Sequence, residues 1–253
     1  RVHASKTRGE PARRLNDRSS SPRIYTMNHF RVGCRLLTFL VTCGAAVGAI
    51  FSMSGCAALG VAAQALPPAQ IKPQYTGLLG QSVAIMVWAD RGIKIDWPDL
   101  PLDSAAGLEH KLKAGQKDLP KYLKDTTFPI SALTVVRFQE DHPEWEGIPV
   151  ADIASQLHVS RLIYIEVDAF QTRSDASTDL YKGSILGSVK VVEVADGKGK
   201  VAYSEDGVRA QYPQDSPEEG VLNAGDDKIY TGTLDAFTTE LVDRFLPHEE
   251  KKD

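Results

Sequence analysis

The sequence predicts a single α/β domain with a mixed sheet flanked by helices, placed behind an amino-terminal export signal and a tether. Three observations predict it. Ser82-Val83-Ala84-Ile85-Met86-Val87-Trp88 is a near-continuous apolar run of strand length, the pattern of a strand buried on both faces. Stretches with apolar residues at helical spacing separate or follow the strand-like stretches. Asp196-Gly197 joins two such stretches with hairpin turn chemistry, which adds antiparallel strands to a sheet begun by a βαβ-like unit.

Taken in order, the first strand is followed by a polar, proline-containing loop through Asp103. Asp103 or Ser104 then caps a helix with Ala105, Leu108 and Leu112 on one face, closed by Gly115. Leu119, Tyr122 and Leu123 suggest one more turn behind Pro120, a residue tolerated near a helix start. Residues 132–138 read as the next strand. Pro149 opens a short helix with Val150, Ile153, Ala154 and Leu157 inward. Residues 161–170 alternate, with Ile163, Ile165, Val167 and Ala169 on one face and Glu166 and Asp168 on the other. Residues 184–194 form a further strand and 201–212 return antiparallel to it. After an acidic loop over 213–227, Asp226 or Asp227 caps a last helix carrying Leu234, Phe237, Leu241, Val242 and Phe245. The expected order is β-α-β-α-β-β-β-α, with no internal repeat and one domain over 77–247, followed by a charged tail at 248–253.

Charge is divided unevenly along the 253 residues. Residues 1–55 hold nine Lys and Arg against two Asp and Glu, and residues 56–253 hold 20 against 31. A basic front on an acidic body is the pattern of an exported domain behind its signal. It argues against nucleic acid as a partner, since backbone binding needs clustered Lys and Arg. The cysteines are Cys34, Cys43 and Cys56, so nothing after Cys56 can form a disulfide or a thiolate metal site.

Residues 27–55 read as a signal peptide. Met27 is the first methionine and the expected start, which makes residues 1–26 an upstream extension or a long basic region. Arg31 and Arg35 precede an uncharged apolar run over 36–51, and Met53-Ser54-Gly55-Cys56 follows. The basic end stays in the cytoplasm while the apolar run enters the membrane. Ser54-Gly55-Cys56 resembles the lipobox of bacterial lipoproteins, with Met53 where that family usually has Leu. The resemblance implies cleavage before Cys56 and a diacylglycerol on its thiol. Two alternatives stand beside it: cleavage after Ala63-Gln64-Ala65, giving a secreted protein, or an uncut apolar run, long enough to span a bilayer. All three put the domain beyond the membrane. Residues 56–76, with Pro67, Pro68 and Pro73, read as an extended tether. Ala57 stands where Asp would, in some lipoproteins, bear on sorting between membranes.

The opening strand, the stretch Ile153-Ala154-Ser155-Gln156-Leu157-His158-Val159-Ser160-Arg161-Leu162-Ile163-Tyr164 and the hairpin around Asp196-Gly197 together resemble a fold of envelope proteins. It is shared by the curli-secretion lipoprotein family, penicillin-binding-protein activator lipoproteins and the amino-terminal domain of TolB. The resemblance spans roughly residues 78–246 and rests on hydrophobic pattern and element order. It implies a domain that binds another envelope protein or associates with itself.

Candidate chemistry is sparse. Gly197-Lys198-Gly199-Lys200-Val201-Ala202 matches a dinucleotide fingerprint but leads into a strand, so it reads as a hairpin turn. Glu140-Asp141-His142-Pro143-Glu144-Trp145-Glu146 gathers carboxylates, a histidine and a tryptophan; Pro143 prevents one helix from aligning them as metal ligands, and a solvated acidic loop with an exposed Trp145 is expected. Asp90, Asp96, Asp99 and Asp103, with Trp97 among them, punctuate the loop after the first strand, where α/β folds gather ligands; turn and capping roles are the plainer reading. Nucleophile-elbow, zincin and Walker patterns are not found, and His110 and His158 stand alone. No cofactor, metal or catalytic residue is assigned. Trp97 and Trp145 are the expected partner-binding residues, and the loops 89–103 and 139–148 are the place for a small-ligand or enzymatic alternative.

Overall fold

In the computed structural model, which describes residues 69–215, 217 and 219–250, one central sheet carries helices on its two faces. The elements are β1 Gln70–Ile71, β2 Val83–Ala89, α1 Arg91–Asp96, α2 Leu100–Asp118, α3 Pro120–Leu123, α4 Ala132–Asp141, a 3-10 turn Pro143–Gly147, α5 Val150–Gln156, β3 Arg161–Arg173, β4 Tyr181–Ala195, β5 Lys198–Tyr212, α6 Asp226–Val242 and β6 His248–Glu249. The expected signal segment, Cys56 and the first part of the expected tether lie outside the described residues.

The sheet order is β2-β3-β4-β5, with β2 parallel to β3 and the other pairs antiparallel. This is the mixed α/β fold that the sequence predicts. The hairpin between β4 and β5 turns at Asp196 (φ 52°) and Gly197 (φ 72°), two consecutive left-handed residues as a type I′ turn requires. Two details of the element order are corrected. Residues 132–138 form the first two turns of α4 instead of a strand, so the parallel partner of β2 is β3. The loop expected through Asp103 contains α1 and the first turn of α2. The three helices α1, α4 and α2 start at side-chain caps or a proline: Asp90 Oδ1 accepts from the Ile93 amide and Ser131 Oγ from the Thr134 amide, while Pro101 occupies the first turn of α2, where its missing N–H costs nothing.

The two faces of the sheet are packed differently. One face puts Val83, Ile85, Val87, Ile163, Ile165, Val189 and Val191 against Leu100, Leu108 and Leu112 of α2 and Leu234, Phe237 and Leu241 of α6, all buried. The other face puts Ala84, Met86, Leu162, Tyr164 and Val192 against Val135 of α4, Trp145 of the 3-10 turn, and Ile153 and Ala154 of α5. Gly199 of β5 allows this second layer: a Cβ there would strike the backbone of Ala151 in α5. Beyond the reach of these shorter helices, Asp168 and Arg209 are exposed and Gln171 is half-buried.

The stretch 69–76, read from the sequence as the end of the tether, is fastened to the domain. β1 pairs antiparallel with β6, within the expected charged tail. The amides of Gln74 and Tyr75 both donate to the Arg244 carbonyl at 2.9 Å. This strap lies at the end of the sheet where β2 and β3 begin, because Tyr75 and Gly77 are bonded by Arg161, the first residue of β3.

Candidate functional site

Strand β2 ends at Ala89, opposite Val167 of β3, and a cleft of about 330 Å³ opens there. Three walls enclose it. Val87, Trp88 and Ala89 contribute the strand; Lys94, Pro98, Pro101 and Leu102 come from α1 and the start of α2; Val136, Gln139, Glu140, Pro143, Trp145 and Glu146 come from α4 and the 3-10 turn. The two stretches 89–103 and 139–148, far apart in sequence, are thus brought to one site. It stands beyond the carboxyl end of a parallel strand, where α/β folds commonly bind ligands.

The polar groups of the cleft are linked across its mouth. Trp88 Nε1 donates to Glu146 Oε1 at 3.3 Å, and Lys94 Nζ lies 3.6 Å from the same oxygen. The side chains of Lys94 and Glu146 are 42% and 53% exposed, so this pair is weak and easily exchanged with water. Deeper in, Gln139 Nε2 donates to the Val87 carbonyl at 3.1 Å. Such a donor is needed because β2 is an edge strand whose outward carbonyls have no neighbouring strand.

The sequence-predicted residues are distributed unevenly. Trp145 lines the cleft but is buried at 5% exposure, which corrects the expected exposure. The 3-10 turn rotates its ring onto Val135 and Ile153 while Glu144 and Glu146 keep to the water side. Trp97 does not line the cleft. It stacks on Tyr230 of α6 (centroids 5.3 Å, planes 19° apart) and meets Phe170 of β3 edge-on at 5.2 Å, a half-buried aromatic cluster that closes the main core. Tyr230 Oη donates to Asp103 at 2.8 Å; burial and this carboxylate together hold the phenol well above its usual range. Asp90 caps α1, and His142 packs on Phe138 with its Nδ1 3.4 Å from Glu144. Among the described residues no group of three His, Cys, Asp or Glu side chains is arranged to hold a metal ion. Trp88 and Gln139 are cleft residues that sequence reasoning missed. Trp88 was legible only as the last residue of a buried strand, and nothing local marks Gln139.

The strap carries a second polar assembly, which runs from the start of β3 to the outer strand β5. Tyr75 Oη donates to Glu193 at 2.8 Å and accepts from Arg161 Nε at 3.1 Å. Burial and the Glu193 carboxylate push this phenol up to about 12. Arg244 grips Glu205 with two bonds of 2.8 and 2.9 Å, and Tyr203 Oη lies within hydrogen-bond distance of Glu205 and Gln74. Burial raises the Glu205 carboxyl, but the bonds from Arg244 and Tyr203 outweigh it and hold the group below the usual carboxylate range.

No protein-family model and no curated protein matches this chain. Solved structures with a similar course of chain include a PelC variant from Paraburkholderia phytofirmans, a dodecamer in its crystal, at 11% identity and a TM-score of 0.37, covering 70% of this chain and 98% of that one. A hypothetical protein, CT253 of Chlamydia trachomatis, is 15% identical with a TM-score of 0.39, covering 64% and 95%. Lipoprotein GNA1162 of Neisseria meningitidis is 10% identical with a TM-score of 0.35, covering 64% and 96%. Likeness at this level carries no functional information. Among the described residues, no helix is long and apolar enough to cross a membrane.

Proposed function

We propose that this protein is an envelope lipoprotein, acylated at Cys56, whose α/β domain is a protein-interaction or assembly module. The observation that carries the reading is the polarity of the domain. The strap that continues from the tether is fastened beside the start of β2 and β3, through Arg161 and Arg244, and the cleft opens beyond the far end of β2. Twelve residues separate Cys56 from Ala69, enough to reach at most about 45 Å. Such a linker lets the strap end face the membrane and the cleft end face a partner. Two experiments test the reading. Metabolic labelling with a fatty-acid analogue should mark the protein and fail to mark the Cys56→Ser variant; equal labelling of both would sink the anchor. In-cell cross-linking of a carboxyl-terminally tagged protein should yield a stoichiometric adduct with one envelope protein or a ladder of self-adducts; a monomer under working cross-linking conditions would sink the module.

A second reading is favoured by one observation: the stretches 89–103 and 139–148 line the same cleft, so the domain could bind a small ligand there or act on one. Asp96, Asp99 and His142 stand outside the cleft lining, which leaves Glu140, Glu146, Lys94 and Gln139, beside the Trp88 indole N–H, as its polar groups. Crystals soaked with a fragment library would decide it: an ordered compound held by these four groups supports a ligand site, and an empty cleft at millimolar fragment sets it aside.

A further inference from the structure

Resting on the reading of this domain as an interaction module, we propose that the cleft captures an extended peptide segment, which adds to the free edge of β2 at residues 87–89 and sets a basic side chain against Glu140 and Glu146. The backbone supplies the first reason. In a strand, alternate residues turn their N–H and C=O groups to the same side. The Val83 amide donates to Thr127 O at 2.8 Å and the Val87 carbonyl accepts from Gln139, both on the side away from β3. Ala89 follows in the same parity, so its backbone groups face the cleft. Thr127 closes the lower part of this edge. The upper part is met by one side-chain amide, the chemical equivalent of a peptide N–H. An incoming strand can replace Gln139 at the Val87 carbonyl without loss of a hydrogen bond and gain a bond at Ala89.

The walls supply the second reason. Trp88, Trp145, Val136 and Leu102 offer apolar surface for alternate side chains of an added strand, and Pro98 and Pro101 have no N–H to compete for its carbonyls. About 330 Å³ is at the small end of ligand-sized clefts and suits a short run of chain better than the surface of a folded domain. Charge gives the third. Glu140 is exposed and makes no ion pair among the described residues, and Lys94 offsets only Glu146. The rim is therefore net negative and fits a Lys or Arg on the peptide.

The test uses the full chain in detergent micelles and, as probe, a phage-displayed library of random twelve-residue peptides. The expected result is enrichment of sequences carrying Lys or Arg. The best synthetic peptide, followed by fluorescence anisotropy, should bind about tenfold more weakly to Glu140→Lys, an exposed change that leaves the fold intact. It should bind Gln139→Ala within about twofold of the parent, because Gln139 only stands in for the peptide. N-methylation of alternate peptide amides in one register should weaken binding by about tenfold, and in the other register by little. The proposal is overturned by no enrichment over empty micelles, by enrichment of acidic peptides, or by equal binding of both N-methylated registers. Failure here and failure of the module reading are separable. If in-cell cross-links to an envelope partner persist while no peptide binds the cleft, the module stands and uses another surface.

Discussion

Along the strap, charged groups are consumed by one another: Arg161 with Tyr75 and Glu193, Arg244 with Glu205 and Tyr203, with both arginine side chains only 15% exposed. At the end where β2 stops, Lys94, Glu140 and Glu146 stand at a rim open to water. The same residue types thus do different work. Partly buried and fully bonded, they fix the path of the chain, and removing one strands its partner. Exposed and loosely bonded, they contribute little to folding and remain free to meet another molecule. A domain that must be held at one end and bind at the other is expected to divide its charges in this way.

The largest effects are expected at the strap. Phe245 is 1% exposed and meets the Tyr75 ring edge-on at 6.3 Å. Phe245→Ala should cost about 3–5 kcal/mol in urea denaturation, and a loss under 1 kcal/mol would mean that the strap is not part of the folded unit. Arg244→Ala should cost about 2 kcal/mol, because Glu205 is left half-buried with only Tyr203 as partner; an unchanged midpoint would remove the distinction between the two ends. Alkali tests the same end. The Tyr75 phenol is raised to about 12 in the fold, against about 10 in the unfolded chain. The stability this represents is full below pH 10 and is lost as pH rises toward 12. Denaturation midpoints should fall over that window, and Tyr75→Phe should flatten the fall. The smallest effect belongs to the cleft: Glu146→Gln weakens the contacts to Trp88 and Lys94 yet should change stability by no more than about 0.5 kcal/mol. A cost above 2 kcal/mol would show that the rim is structural too.

Much of this fold was legible because its strands alternate and its turn is marked. Ile163, Ile165 and Val167 give the face of β3 directly, and Asp196-Gly197 gives the hairpin. Residues 132–138 misled because Leu133, Thr134, Val135, Val136 and Phe138 all suit a strand by type. Ser131 as a cap, with Ala132, Val135, Val136 and Gln139 at helical spacing, carried the better signal. Trp145 was expected outside because acidic residues surround it; a single 3-10 turn separates the ring from its neighbours, and no local pattern announces that. Both stretches that line the cleft were identifiable one by one. Their meeting depends on contacts such as Trp88 with Glu146, 58 residues apart, which only the tertiary fold supplies. Cys56 as the anchor and Trp145 as a wall of the cleft belong to the proposals, while Trp97 as a partner-binding residue stands as an expectation from the sequence alone.

Whether the tethered domain presents its cleft to a partner is decided by placing a photo-cross-linking amino acid in living cells at position 140 on the cleft rim, and separately at position 121, exposed on α3 beside the segment that leads into β2. A discrete protein adduct is expected from position 140, lost in the Cys56→Ser background, and none from position 121. An adduct from position 121 alone, or one from position 140 that survives loss of the anchor unchanged, would contradict it.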